Sequence, residues 1–367
     1  MKYLNANFDP NPRFTDSSGP WLYRSDGTRV FDCWLGSGTL IFGHKSPSYA
    51  PENLSQMLPH GIKVTDDQLL HLNNCVSYPI QGIGLQTSGS AAITRAIRIA
   101  RAYKNRMLIA TIANFWHGSE DITLFREDHL PLSTGIDEQS QVNVKHFSSL
   151  REFLKSENVN EFAAILVEPY QGSNPSESVL DSLDSDSRQQ LRQSGVLLIF
   201  DEIITGFRER YGSCSTARKL EADITVFGKA IGGGYPIGAV FCGEFLNEIK
   251  ERYPFWGGTF AASPPQVRAL FRSLQLLREL NYDELKRNHE CLLSAISNSV
   301  DHDFIEILSG CNFSRLAVKG KGRQSRGFLN TDEIFSKNRI LLEENGIFVG
   351  SNGLIFPSTF NINDVRG

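Results

Sequence analysis

The sequence predicts an α/β fold, with helices on both faces of a largely parallel sheet and a second, smaller domain. Two observations support this prediction. From about residue 85, short apolar runs alternate with helical patterns, which is typical of parallel sheets. After about residue 262 the chain reads mainly as helices and closes with a shorter mixed segment. We therefore expect a large domain with a mainly parallel sheet and a small α+β domain built from both chain ends.

The predicted elements follow in chain order. The first 45 residues are rich in Gly, Pro and Ser and predict loops with short strands, one of them at Arg29–Trp34. Ile93–Tyr103 has its apolar residues on one helical face, behind a serine, Ser88, that suits a helix N-cap. A later helix is predicted from Pro265 to Glu279. The strands predicted for the sheet are Leu108–Ile112, Ala163–Val167, Val196–Phe200, Ile224–Phe227 and Gly238–Cys242.

Composition excludes several classes of protein. The 367 residues carry a net charge of −4 and are 40% apolar, which excludes a disordered chain and gives no electrostatic footprint for nucleic acid. Six cysteines without a CxxC pair disfavour a structural zinc site and predict free thiols in a reducing compartment. No apolar run approaches the ~18 residues of a membrane span, and no signal peptide is visible. We therefore expect a cytoplasmic protein without a metal, nucleic acid or membrane partner.

Chemically useful side chains follow the predicted strands, where open α/β sheets bind their ligands. Asp201 ends an apolar strand, and it either caps a loop or pairs with a buried cation. Lys229 follows the next strand and precedes three glycines. It is either a solvated lysine or a desolvated amine of lowered pKa, suited to Schiff-base formation.

Further pieces of a site are present elsewhere in the chain. Ser88, Gly89 and Ser90 form either a plain helix cap or a phosphate site at a helix N-terminus. Trp116 and His117 either pack internally or stack on a flat ring. Two more glycine-containing segments complete the set, VEPYQGS at 167–173 and WGGTF at 256–260. Together these segments suit one kind of ligand, a flat, phosphorylated aromatic aldehyde with a basic ring nitrogen.

In this order the motifs resemble those of the class III aminotransferases of PLP fold type I, the aspartate aminotransferase-like fold. The matching motifs are TSGSAA, NFWHG, VEPYQG, FDEIITGFR, FGKAIGGGYPIGAV and GGTFAASP. Within the family the chain is most similar to the glutamate semialdehyde aminomutase branch. The resemblance implies a large domain at 46–262 that binds pyridoxal 5′-phosphate (PLP). It also implies an N-terminal segment at 1–45 for the small domain and substrate access, and a C-terminal small domain at 263–367, shorter than usual.

The resemblance implies roles for the residues nearest the cofactor. Lys229 would carry PLP as a Schiff base and shuttle a proton, and Asp201 would pair with the protonated ring nitrogen. Ser88, Gly89 and Ser90 would bind the phosphate.

More distant roles follow from the same resemblance. Trp116 would stack on the cofactor ring with His117 beside it, and Glu168 would support the site. Thr259 would reach the phosphate of the neighbouring subunit in a homodimer. Ser173 would contact a ring oxygen of the cofactor, because Ile204 stands where many members have a glutamine for that contact.

Substrate residues are less constrained by the resemblance. Arg13 lies where aminomutase-like members place a carboxylate-binding arginine, with a surface arginine as the alternative. Ser37 lies in the substrate-access segment RSDGTRVFDCWLGSGTLIFGH at 24–44. The basic run Lys319–Arg326 is either solvated or binds an anionic substrate group.

The resemblance predicts an enzyme, a PLP-dependent aminotransferase that moves an amino group from an amino-acid donor to an aldehyde or ketone. An aminomutase, which moves the amine within one substrate, is the first alternative. A non-catalytic subunit of the same fold is the second, motivated by Ala91 in place of the glutamate of the phosphate motif. The sequence does not identify the amino donor or the carbonyl acceptor.

Overall fold

A computed structural model of the chain describes residues 13–46, 64–112, 115–125, 131–132, 134–248, 258–320 and 332–365. The strands are β1 (Asp16–Ser18), β2 (Trp21–Tyr23), β3 (Arg29–Asp32), β4 (Gly82–Gln86), β5 (Leu108–Ile112), β6 (Val144–Phe147), β7 (Phe162–Val167), β8 (Leu197–Asp201), β9 (Ile224–Phe227), β10 (Gly238–Cys242), β11 (Ile305–Gly310), β12 (Phe313–Val318), β13 (Ile347–Phe348) and β14 (Leu354–Ile355). The helical segments are α1 (Leu35–Gly38), α2 (Asp66–Asn73), α3 (Gly89–Lys104), α4 (Leu150–Leu154), α5 (Ser185–Ser194), α6 (Pro264–Glu279), α7 (Tyr282–Ser297), α8 (Glu333–Glu344) and α9 (Ile362–Val365).

Seven strands form the central sheet, in the order β4-β10-β9-β8-β7-β5-β6. The pairings from β9 to β6 are parallel, whereas β10 runs antiparallel to both of its neighbours. The predicted strands of the sheet are confirmed as β5, β7, β8, β9 and β10, with shifts of one residue in β7 and β8. The predicted α/β fold with a mainly parallel sheet is confirmed.

The sheet is apolar on both faces. Leu198 and Phe200 of β8 belong to one buried cluster, whereas Leu197 and Ile199 belong to the cluster that α3 covers. Successive side chains of a strand point to opposite faces, so a strand buried on both sides is a continuous apolar run. This explains why the sequence pattern identified these strands.

Two smaller sheets lie outside the central one. In the first, β13 pairs in parallel with β3, so that segments from both ends of the chain share a sheet of order β1-β2-β3-β13. In the second, β11, β12 and β14 form an antiparallel sheet within the C-terminal region that was expected to be mainly helical. The predicted strand at Arg29–Trp34 ends earlier, at Asp32. The domain boundaries stay predictions.

The described residues were also compared with the expectations about disulfides, membrane spans and metal sites. All six cysteines are free thiols, and five of them are buried. No helix in the described ranges is long and apolar enough to cross a bilayer. Within the same ranges, no group of His, Cys, Asp and Glu side chains is arranged to hold a metal ion.

Candidate active site

One cavity of about 320 Å³ lies where the carboxyl ends of the parallel strands meet. Loops that follow β4, β5, β7, β8 and β9 all contribute to it, together with the segment that precedes the reversed strand β10. The residues that line it are Ser37, Thr39, Thr87, Ser88, Gly89, Ser90, Trp116, Gly118, Glu168, Asp201, Ile203, Ile204, Lys229, Gly234, Tyr235, Pro236 and Ile237. This convergence follows from the parallel topology, because parallel strands end on the same side of a sheet.

Lys229 begins a 3₁₀ turn, Lys229–Gly232, that follows β9. Its backbone is left-handed, with φ of 45°, and its side chain is half-buried at the cavity. Burial lowers the pKa of this amine, and the Arg208 guanidinium adds to the lowering, whereas the carboxylates of Asp201 and Glu168 oppose it. The neutral, nucleophilic amine is therefore more populated than in an exposed lysine at the same pH.

Asp201, the last residue of β8, is 4% exposed and belongs to a chain of three buried polar side chains. Its Oδ2 lies 2.9 Å from His117 Nδ1, and His117 Nε2 lies 3.0 Å from Thr111 Oγ1. Its Oδ1 accepts a hydrogen bond of 3.1 Å from the Ile203 N–H. A carboxylate oxygen accepts hydrogen bonds, so in this contact His117 Nδ1 is the donor. The carboxylate is thereby fixed in direction.

The N-terminus of α3 forms another wall of the cavity. Ser88 is the N-cap, as predicted, and its Oγ accepts from the Ala91 N–H at 3.1 Å. The first N–H groups of a helix have no acceptor within the helix, and the helix dipole favours an anion beside them. The loop after β5 packs on this turn, because the Ser119 N–H donates to Ser90 Oγ at 3.1 Å. At Gly118, with φ of +106°, a Cβ would lie only 2.6 Å from Ser90 Oγ.

Glu168 joins two of the loops. Its Oε2 accepts from the Trp116 N–H at 2.9 Å, and its Oε1 accepts from the Gly172 N–H at 3.2 Å. The Trp116 side chain is 38% exposed and lines the cavity. Glu168 therefore holds the loop that carries this ring to the loop after β7.

The α1 segment is a left-handed turn rather than a helix. Leu35, Gly36, Ser37 and Gly38 have φ of 49°, 59°, 62° and 81°. For a residue other than glycine, this conformation costs about 1–2 kcal/mol. Gly38 O accepts from Arg208 Nη2, and Thr39 Oγ1 donates to Gly36 O at 3.1 Å. The turn brings Ser37 and Thr39 to the cavity.

Most of the residues predicted for the site meet at this cavity. Its lining includes eight of them, Lys229, Asp201, Ser88, Gly89, Ser90, Trp116, Glu168 and Ser37. His117 contacts Asp201 from behind the lining.

Three predicted site residues lie elsewhere. Arg13 pairs with Glu343 of α8, which gives no support to a substrate role for that arginine. Ser173 is half-buried outside the lining, and its carbonyl accepts from Arg315 Nη1. Thr259 is exposed. In the basic run, positions 321–326 fall outside the described residues.

Several residues of the site were not identified from the sequence. Thr111 lies within an apolar strand, and its polar side chain at a buried position was an unused signal. Ile203 packs on two glycines, since a Cβ would meet its side chain at 2.7 Å from Gly89 and at 3.1 Å from Gly228. Thr39 lies two residues after the predicted Ser37, within the segment at 24–44, but was not singled out there.

Comparison with known proteins gives three findings. The sequence model of a family described as "Aminotransferase class-III" matches residues 5–308. A glutamate-1-semialdehyde 2,1-aminomutase of Methanopyrus kandleri is 33% identical, over 82% of this chain and 74% of that protein. One of Methanosphaera stadtmanae is 28% identical, over 93% and 85%.

A solved structure has the same fold. It is a transaminase with PLP bound, with a TM-score of 0.75 at 24% sequence identity. The alignment covers 96% of this chain and 87% of the transaminase. The PLP fold type I predicted from the sequence is confirmed.

Proposed function

Because this chain belongs to the class III aminotransferase family, we propose that it moves an amino group from an amino-acid donor to an aldehyde or ketone, with PLP as its cofactor. The observation that carries this proposal is the meeting of Lys229, Asp201 and the N-terminus of α3 at one cavity. The protein is an enzyme of the transaminase or aminomutase kind.

The residues of the cavity fit PLP by their chemistry. A lysine of lowered pKa suits an aldehyde, a buried carboxylate suits a basic ring nitrogen, and a helix N-terminus suits a phosphate. When bound, PLP supplies an electron sink that stabilises negative charge at the substrate carbon.

Asp201 would set the protonation of the cofactor ring. Its carboxylate would accept a hydrogen bond from the ring nitrogen and so favour its protonated form, while His117 and Thr111 hold the carboxylate in direction. Such a second layer of bonds matters because a carboxylate that rotates away leaves the ring nitrogen without its partner.

Lys229 Nζ would hold the cofactor aldehyde in the resting enzyme. Once the substrate amine has displaced it from the aldehyde, the freed Nζ would accept the proton that is moved during amine transfer and give it back. A lowered pKa serves this step, because a base works best when its pKa is near the working pH.

The remaining cavity residues orient the cofactor. Ser88, Gly89 and Ser90 would bind the phosphate at the start of α3. Trp116 would stack on the cofactor ring, and Glu168 keeps the Trp116 loop in place. In a homodimer, the exposed Thr259 would bind the phosphate of the cofactor held by the second copy of the chain. We expect the enzyme to act in the cytoplasm, in keeping with its free thiols.

Lys229→Ala tests the proposal. We expect the variant to retain PLP without the visible absorption of a lysine-bound cofactor and to lose turnover by about 10²–10⁴-fold, which is the usual contribution of a general acid–base group. Lys155→Ala, at an exposed lysine, is the control and should behave as the wild type. Amine transfer that persists in Lys229→Ala would contradict the proposed role of the lysine.

An aminomutase is the second candidate, favoured by the names of the two relatives and by Ile204 at the cavity wall. The two reactions differ in their need for a separate donor. The wild-type enzyme is given an amino aldehyde such as glutamate 1-semialdehyde, with and without an added amino acid. Interconversion without a donor supports the aminomutase, whereas a reaction that stops until a donor is added supports the aminotransferase.

A further inference from the structure

Arg208 is a fully buried arginine that contacts three separate parts of the chain. Its Nη2 donates to Gly38 O of the left-handed turn, and its Nε donates to Ile204 O at 3.1 Å. Its guanidinium carbon lies 4.8 Å from the centroid of the Phe356 ring. One side chain thus joins the turn, a wall of the cavity and the C-terminal region.

The contact between Arg208 and the turn leaves no room for a side chain at Gly38. A Cβ at that position would lie 2.7 Å from Arg208 Nη2 and 2.7 Å from Phe356 Cε1. Gly38 also has φ of +81°, which a residue with a side chain adopts only under strain. Ser37 and Thr39, on either side of Gly38, both line the cavity. Any displacement of Gly38 therefore moves two hydroxyl groups of the site.

We propose that Arg208 is a positioning residue that fixes the turn Leu35–Gly38, and that it thereby sets Ser37 and Thr39 where they bind an oxygen-bearing group of the substrate. The two hydroxyls can each donate to a carboxylate or carbonyl oxygen and accept from an N–H. This inference rests on the proposed function, because it concerns the substrate of that same cavity.

The chemistry of the guanidinium explains why an arginine is needed at this position. Its planar group presents several N–H donors in fixed directions and stacks on an aromatic ring at the same time. A lysine has the same charge on a single flexible ammonium, and it cannot reach Gly38 O and Ile204 O together with the face of Phe356. Arg208→Lys therefore keeps the positive charge but removes the hydrogen-bond and stacking geometry of the guanidinium.

The experiment compares PLP-loaded wild-type enzyme with Arg208→Lys and Gly38→Ala. The readouts are KM and kcat for the amino substrate, together with the visible absorption of the bound cofactor. We expect KM to rise by about tenfold or more with little change in kcat, because displacement of a substrate-positioning group by about 1 Å can cost up to 10²-fold. The cofactor absorption should be retained, since Lys229 and Asp201 are unchanged.

Gly27→Ala is the matched control. Gly27 has a similar φ of +84°, but nothing lies within 4 Å of a Cβ there, so the variant imposes the same backbone strain away from the site. Its KM and kcat should equal those of the wild type. If Arg208→Lys does not fold, Gly36→Ala decides in its place. It leaves Arg208 intact and disturbs the turn through backbone strain, at a φ of +59°, and through contacts of the new Cβ with the Thr39 hydroxyl, at 2.8 Å, and the Leu40 side chain.

The results separate this inference from the proposed function. Unchanged KM in the turn variants of an active enzyme overturns the inference alone. A parallel fall of kcat, cofactor content and thermal stability also overturns it, because that pattern indicates a general structural role. Wild-type protein that binds PLP but transfers no amine under any donor overturns the proposed function, and the inference with it.

Discussion

Asp201 and Glu202 are neighbours in the chain, yet their carboxylates bond to different partners. Asp201 lines the cavity and contacts His117. Glu202 is fully buried and accepts hydrogen bonds from the Thr205 and Ser213 hydroxyls. One strand end thus supplies a carboxylate at the cavity and a second one that holds the following loop.

The buried Glu202 predicts a pH-dependent stability. Burial is the largest cause that raises the pKa of this carboxyl above its ordinary value of 4.5. The folded state therefore holds its proton at a pH where the unfolded state has lost it. The stability that this group contributes is complete below about pH 4.5 and declines as the pH rises through the raised pKa.

Glu202→Gln removes this titration. We expect the free energy of unfolding of the variant to increase relative to that of the wild type as the pH rises from about 4.5 through the raised pKa, because only the wild type loses stability over this range. Urea unfolding at a series of pH values measures the difference. Glu290→Gln, at an exposed glutamate of α7, is the control. A constant difference across the series would contradict the prediction.

The bond between His117 and Asp201 predicts a graded effect on catalysis. His117→Phe removes both of the ring's hydrogen bonds, and a bond to a charged group contributes about 1.5–3 kcal/mol, or roughly 10- to 100-fold in rate. We expect kcat/KM to fall by that amount. Thr111→Val breaks only the outer bond, and its loss should be smaller. Equal losses in the two variants would show that the chain of bonds does not act on Asp201.

Gly118 predicts a specific loss of cofactor affinity. Its φ of +106° and the short approach of a Cβ to Ser90 mean that Gly118→Ala forces the loop away from the start of α3. We expect the Kd for PLP to rise by about tenfold or more, equivalent to about 1.4 kcal/mol or more of binding free energy. Fluorescence titration of cofactor-free protein with PLP measures it.

Gly135→Ala provides the comparison for Gly118→Ala. Gly135 also has a left-handed backbone, with φ of +85°, but a Cβ there would meet nothing within 4 Å. The Kd for PLP should be unchanged in this variant. If both variants lose affinity alike, backbone strain alone is responsible, and the contact with Ser90 is not.

The lowered pKa of Lys229 predicts unusual reactivity in cofactor-free protein. Its amine should undergo reductive methylation at a lower pH than an exposed lysine such as Lys155, because more of it is neutral. Glu168→Gln should move the pH midpoint of the reaction further down, since the Glu168 carboxylate favours the charged amine. Peptide mass spectrometry after brief labelling over a pH series follows each lysine. Identical pH profiles for Lys229 and Lys155 would contradict the prediction.

The central sheet and the meeting of Asp201 and Lys229 at the cavity were predictable from the sequence for one physical reason. Strands buried on both faces are continuous apolar runs, so β5, β9 and β10 were located with their observed bounds. In a parallel sheet the residues after those runs meet at one edge, which is why Asp201 and Lys229 were expected to lie together.

Features that depend on distant contacts were not predictable. The left-handed turn at Leu35–Gly38 depends on Arg208, and no local pattern indicates that pairing. The carboxylate that binds Arg13 is Glu343, which belongs to a helix at the other end of the chain. The composition of β10 does not indicate that this strand runs in the reverse direction, because its residues are as apolar as those of its neighbours.

The turn at residues 35–38 has a consequence for how the protein is made. Its residues leave the ribosome early, whereas Arg208 and Phe356, which hold it in place, are synthesised much later. A left-handed backbone is unfavourable for Leu35 and Ser37 until Arg208 and Phe356 have been synthesised and can stabilise it. The part of the cavity wall that carries Ser37 and Thr39 therefore forms only after residue 356 has been synthesised. Chains released before residue 356 should lack this part of the wall, even where the central sheet has already assembled.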